Sequence, residues 1–70
     1  MRRDPVESSA IASVGYDAAS ATLELQFQGG AVYRYAGVPP QVVEALMAAE
    51  SKGRFVNAHI RQRFPYERIA

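Results

Sequence analysis

The stretch Thr22-Leu23-Glu24-Leu25-Gln26-Phe27-Gln28, followed by Gly29-Gly30 and then by Ala31-Val32-Tyr33-Arg34-Tyr35-Ala36, decides the fold. Its first seven residues alternate with period 2, placing Leu23, Leu25 and Phe27 on one face of a strand and Thr22, Glu24, Gln26 and Gln28 on the other. The paired glycines turn the chain, and Ala31 to Ala36 reads as the returning strand. Loop length sets which residues meet. A two-residue Gly29-Gly30 loop pairs Leu25 with Arg34 and turns the guanidinium inward. A three-residue loop, Gly29 to Ala31, pairs Phe27 with Tyr33 and Leu25 with Tyr35, burying the rings and exposing Arg34. An unpaired buried Arg costs several kcal/mol, and a one-residue slip flips every side chain. The three-residue loop is therefore favoured, with a bulge accommodated at a glycine.

Upstream, Ser9 to Tyr16 is rich in small and β-branched residues and reads as a strand, and Asp17-Ala18-Ala19-Ser20 turns the chain into Thr22. Residues 1–6 contain Arg2, Arg3, Asp4 and Pro5 and read as a flexible lead-in. Downstream, Val38-Pro39-Pro40 closes the strand region, and a proline suits the first turn of a helix. From Gln41 the apolar stripe is Val42, Val43, Leu46, Met47 and Ala49, at helical spacing. Ser51-Lys52-Gly53 stops that helix, with Gly53 as its C′ residue. A shorter helix covers Arg54 to Gln62, with Phe55, Ala58, His59 and Ile60 inward, and Pro65 prevents its continuation. Phe64, Tyr66 and Ile69 fold back on the sheet. The predicted fold class is α+β: a three-stranded antiparallel β-meander with two short C-terminal helices packed on one face, in a single domain over residues 1–70.

The chain has 70 residues, and 12 of its 34 apolar residues are alanine, so 22 larger apolar side chains remain for a core. A domain of ~60 residues buries only about 60% of its unfolded surface, so marginal stability is expected. There is no cysteine, hence no disulfide and no thiolate metal site. One histidine and scattered carboxylates are too few for a metal centre. No run approaches the ~18 apolar residues of a membrane span, no apolar stretch follows the basic start, and a cytoplasmic location is expected.

Charge is lopsided. Residues 1–50 carry three cations against six anions, whereas Lys52, Arg54, Arg61, Arg63 and Arg68 face Glu67 alone in residues 51–70. Such an end can grip a phosphate backbone, and four of its five cations are arginines, the better bidentate phosphate group. A solvated helix face that balances the acidic half is the structural alternative. Tyr33 and Tyr35 share a strand face. Exposed, they form a base-stacking platform; buried, they are core aromatics with hydroxyls at the rim. Ser51 can cap the second helix, and the same corner, beside Lys52 and Arg54, offers free amides to an anion. Ser8, Ser9, Ser13 and Ser51 with His59 make no triad, since neither an orienting acid nor a nucleophile elbow accompanies them. Gly29-Gly30 is no phosphate loop, because no helix N-terminus follows.

The ordered set Ser8-Ser9, Val14-Gly15-Tyr16-Asp17, Leu23 to Phe27, Gly30, Tyr33-Arg34-Tyr35, Gly37-Val38-Pro39, Ala49-Glu50-Ser51-Lys52-Gly53, Phe55-Val56-Asn57, Ile60-Arg61 and Tyr66 resembles the KTSC domain, over about residues 6–69. That family is named for its occurrence at the C-terminus of some lysyl-tRNA synthetases, and it also occurs as free-standing small bacterial and phage proteins. Its central Tyr-x-Tyr maps onto Tyr33 and Tyr35. The resemblance implies a compact domain without enzymatic activity, and its fusion to a synthetase points to RNA. The expected function is a small non-enzymatic binding module that holds RNA or another nucleic acid through Tyr33, Arg34, Tyr35, Lys52, Arg54, Arg61 and Arg63, with no cofactor. The alternative is a protein-interaction or assembly domain using an exposed sheet edge or apolar patch.

Overall fold

The computed structural model describes residues 2–70; Met1 lies outside them. The elements are β1 (Asp4–Pro5), β2 (Ile11–Asp17), β3 (Thr22–Phe27), β4 (Val32–Tyr35), α1 (Pro40–Ala48), α2 (Lys52–His59) and β5 (Tyr66–Arg68). The strands form one antiparallel sheet in the order β1-β2-β3-β4-β5, so both helices are inserted between two neighbouring strands. The α+β class and the two short helices are as predicted, but among the described residues the sheet has five strands rather than three. The lead-in supplies β1, which pairs Asp4 with Val14 and Pro5 with Ser13. The tail supplies β5, which pairs Tyr66 with Tyr35, Glu67 with Arg34 and Arg68 with Tyr33.

The face assignment from the alternation holds and the register moves by two. Leu23 faces Tyr35, Glu24 faces Arg34 and Leu25 faces Tyr33. The loop has three residues, but they are Gln28-Gly29-Gly30, closed by the Phe27 amide donating to the Ala31 carbonyl and the Gly30 amide to the Phe27 carbonyl, each at 2.9 Å. Gly30, at φ +100°, takes the left-handed position that such a loop requires. A shift of two keeps side-chain parity, so Leu23, Leu25, Phe27, Tyr33 and Tyr35 still share one face. The one irregularity recorded in the β2–β3 pairing falls between Ile11 and Ser13, not at a glycine.

That shared face is the core. Ile11, Val14, Leu23, Leu25 and Tyr35 pack there against Val38, Leu46, Val56 and Ile60. The Tyr16 hydroxyl donates to the Val38 carbonyl at 2.6 Å, tying β2 to the chain entering α1. Within α1, Leu46 is buried and Val42 and Val43 pack half-buried, but Met47 is 45% exposed, one residue too far round the helix to join them. The inward residues here are Val56 within α2 and Ile60 at its C-cap, four apart on one stripe. Ala58 and His59, predicted inward, are exposed. His59 instead sits beside Phe55, ring centroids 4.8 Å apart. The Ser51 hydroxyl caps α2 by accepting from the Arg54 amide at 3.3 Å. Gly53 is not a C′ residue: it lies in the first turn of α2, where a Cβ would meet the Ala10 side chain at 2.9 Å. The helix ends at His59 rather than Gln62, leaving Arg61 and Arg63 on the turn that follows.

The opposite face of the sheet carries a row of charges. Glu24, only 3% exposed, accepts from Arg3 Nη1 and, at 3.1 Å, from Arg34 Nη2. Gly15, which faces Glu24 in the register, makes the first contact possible. A Cβ at Gly15 would stand 2.6 Å from the Arg2 carbonyl oxygen and 2.9 Å from Arg3 Cγ. Burial pushes the Glu24 carboxyl up, but the hydrogen bonds and charges of Arg34 and Arg3 outweigh it and hold the group below the usual carboxylate range. Gly15→Ala should therefore lift β1 from the sheet, at a cost of about 1–3 kcal/mol for the overpacking. Hydrogen exchange reads it: the Val6 amide, bonded to the Ala12 carbonyl, should lose protection while β3 and β4 keep theirs. Unchanged exchange at Val6 would show that the slot over Gly15 does not hold β1.

Candidate functional site

The edge pair β4–β5 presents Tyr33 and Tyr35 opposite Arg68 and Tyr66 on the helix-bearing face. The chain leaving α2 passes above this pair, because Val56 and Ile60 anchor it to the core. Between them lies a cavity of about 300 Å³. Tyr35 and Val56 are the buried lining residues. Phe27, Tyr33 and Tyr66 wall it, and Asn57 and Arg61 stand exposed at its mouth. The rings form one continuous cluster. Phe27 meets Tyr33 edge-on, and Tyr66 lies tilted against both Tyr33 and Tyr35, with every centroid separation 5.6 Å. Arg61 Nη1 donates to Asn57 Oδ1 at 3.5 Å. A second, more open groove of about 700 Å³ adjoins through Arg61 and Tyr66 and continues along Arg63 and Pro65.

Burial pushes the Tyr35 phenol up; Arg61 opposes this, and Tyr33 and Tyr66 add to it. At neutral pH the group is a protonated phenol, able to donate.

The seven residues singled out from the sequence are thus divided. Tyr33, Tyr35 and Arg61 surround one cavity, and Arg63 lines the adjoining groove. The two tyrosines differ: Tyr35 is 2% exposed and belongs to the core, whereas Tyr33 is half-buried. Arg34 lies on the other face of the sheet, bonded to Glu24. Lys52 Nζ donates to the Met47 and Ala49 carbonyls, both at 3.3 Å, and so serves the end of α1. Arg54 is exposed in the first turn of α2, at the other end of the helix from Arg61, and lines neither the cavity nor the groove. Phe27, Asn57, Tyr66 and Arg68 were not singled out as site residues. The signal for two of them is the alternation in Tyr66-Glu67-Arg68, which complements Tyr33-Arg34-Tyr35 read backwards: ring on ring, anion on cation.

These features define a small sheet-and-helix-pair module with an aromatic, cationic groove on its last strand pair. The KTSC domain model matches residues 7–64, and the chain belongs to the KTSC domain family. A protein of Tsukamurella paurometabola is 58% identical over 60 residues, covering 86% of this chain and 90% of its own length. An uncharacterized protein of Stutzerimonas stutzeri is 46% identical over 99% of both chains. A lysine–tRNA ligase of Nostoc punctiforme is 39% identical over 64 residues, which are 91% of this chain and 11% of the ligase. The crystal structure of a KTSC domain protein from Yersinia pestis superposes with a TM-score of 0.92 at 43% identity, over 99% of this chain and 97% of that one. The family therefore occurs both as a free-standing small protein and as a segment of a tRNA ligase. Among the described residues, no helix is long and apolar enough to cross a membrane.

Proposed function

We propose that the domain is a non-catalytic module of the cytoplasm that binds single-stranded nucleic acid, RNA in the first place, on the β4–β5 face. The observation that carries this reading is the placing of Arg61 at the mouth of a cavity walled by Phe27, Tyr33 and Tyr66. Unstacked bases are held by stacking on aromatic rings, and their phosphates by nearby arginines. Arg63 in the adjoining groove and Arg68 opposite Tyr33 supply further cations within the same surface. The similarity to a stretch of a lysine–tRNA ligase, whose business is tRNA, agrees with this choice.

Titration of a labelled single-stranded RNA from 20 mM to 200 mM salt, a span of roughly 20 Å to 7 Å in screening length, tests it. Each phosphate neutralised on a single strand contributes about −0.7 to the slope of log K against log salt, so three arginines give a slope of about −2. Reversal of Arg61 and Arg63 to Glu should abolish binding while the thermal melt stays put, because both side chains are exposed. Absence of binding at low salt, or binding indifferent to salt and to the reversal, would favour a protein contact at the exposed β5 edge instead.

A further inference from the structure

Resting on the nucleic-acid reading, we infer that the cavity discriminates among bases and favours guanine, presented to Arg61 by its O6/N7 edge. The polarity of the lining argues for this. Arg61 brings only N–H donors, in a planar fork. The Asn57 carbonyl oxygen lies 3.5 Å from Arg61 Nη1, which donates to it, and the amide NH2 is Asn57's other polar group. Among the described residues no carboxylate lines the cavity, and its other polar side chains are the hydroxyls of Tyr33, Tyr35 and Tyr66, which carry no charge at neutral pH and can donate or accept. A cationic ligand, which aromatic walls on their own would suit, meets Arg61 and finds no counter-charge. The walls call for a planar ring, and the donors call for acceptors on its edge.

Among the bases, guanine places two acceptors, O6 and N7, side by side, and a guanidinium fork matches both at once. Adenine sets an amino donor beside its N7, and the pyrimidines have no N7. A volume of about 300 Å³ lies at the lower end of the range for small-molecule pockets, roughly 300–1,000 Å³, and suits a single base. The adjoining groove with Arg63 takes the neighbouring phosphate. Arg61 is then the residue that specifies.

The test compares four labelled heptamers at low salt on the full chain: UUUGUUU, UUUAUUU, UUUUUUU and the first with 7-deazaguanine at its centre. The guanine heptamer should bind about tenfold more tightly than the adenine one, within the range of a good bidentate contact. The 7-deaza form, lacking the N7 acceptor, should fall to the adenine level. Arg61→Lys keeps the charge but not the fork: it should retain binding to UUUUUUU and lose the guanine preference. Equal binding of all four heptamers to the unaltered protein, or a preference for another base, would overturn the guanine assignment and leave the nucleic-acid reading standing. Failure of every heptamer to bind would overturn both.

Discussion

Leu46→Ala should leave the domain without a cooperative thermal transition at 37 °C. Leu46 is fully buried and is the one completely enclosed side chain of α1. It belongs to one buried cluster with the sheet residues, Val56 of α2 and Ile60 just beyond it, so it joins both helices to the sheet. Truncating a buried Leu costs about 2–5 kcal/mol, from lost transfer energy plus the cavity left behind. A single small core rarely supplies more than about 3–5 kcal/mol in all, so the loss is comparable with the whole. Circular dichroism melts of the two proteins decide it. A melting temperature close to that of the unaltered chain would mean that α1 contributes little to the core. Met47→Ala, on the exposed side of the same helix, should change little.

The second large effect belongs to the charge row on the other face. Arg3→Met and Arg34→Met made together should cost about 3–5 kcal/mol, because side chains of similar length keep Glu24 covered while leaving it a buried carboxylate with no partner. Either change alone leaves one guanidinium in place, so the pair should exceed the sum of the singles. The dependence on pH should also reverse. In the unaltered protein the folded carboxyl titrates lower than the unfolded one. Its stabilisation is complete above the unfolded value of about 4.3 and is lost as pH falls through the folded value. In the double variant burial acts unopposed and raises the folded value. Stability is then highest in acid and falls as pH rises from about 4.3 through that raised value. Urea melts at pH 4 and pH 7 measure both limbs. Additive costs, or a double variant more stable at pH 7 than at pH 4, would refute the account of Glu24.

The sequence revealed the centre of the sheet more fully than its edges, for physical reasons. Thr22 to Gln28 has one face buried and one polar over seven residues, long enough for period 2 to be read. The same cost argument that kept Arg34 outward returned the correct parity. It could not choose between loops 28–30 and 29–31, because both keep the rings inward. β1 and β5 are two and three residues long and have no periodicity of their own; they become strands only beside a partner. Over α2 and its C-cap, Phe55 and His59 form one i,i+4 pair and Val56 and Ile60 another, a single step apart round the helix. Only the sheet below determines which pair turns inward. The candidate site follows the same division. Tyr33 and Tyr35 were visible as a pair on one strand face. Their meeting with Arg61 depends on where α2 ends and how the chain turns after Ile60, neither of which leaves a local mark.

The strand order also fixes where something can be attached to this molecule without harm. β1 and β5 are opposite edges of the sheet, four strand spacings apart, or about 19 Å. The last residues run along β4 beside the cavity, with the Val32 amide donating to the Ala70 carbonyl and the Ile69 amide to the Val32 carbonyl. A fluorophore, affinity tag or surface linker joined after Ala70 would emerge next to Tyr33 and compete for the groove. One joined ahead of Arg2 enters at the far edge and leaves the aromatic cluster unobstructed, which makes that end the proper one for immobilising the protein in any binding measurement.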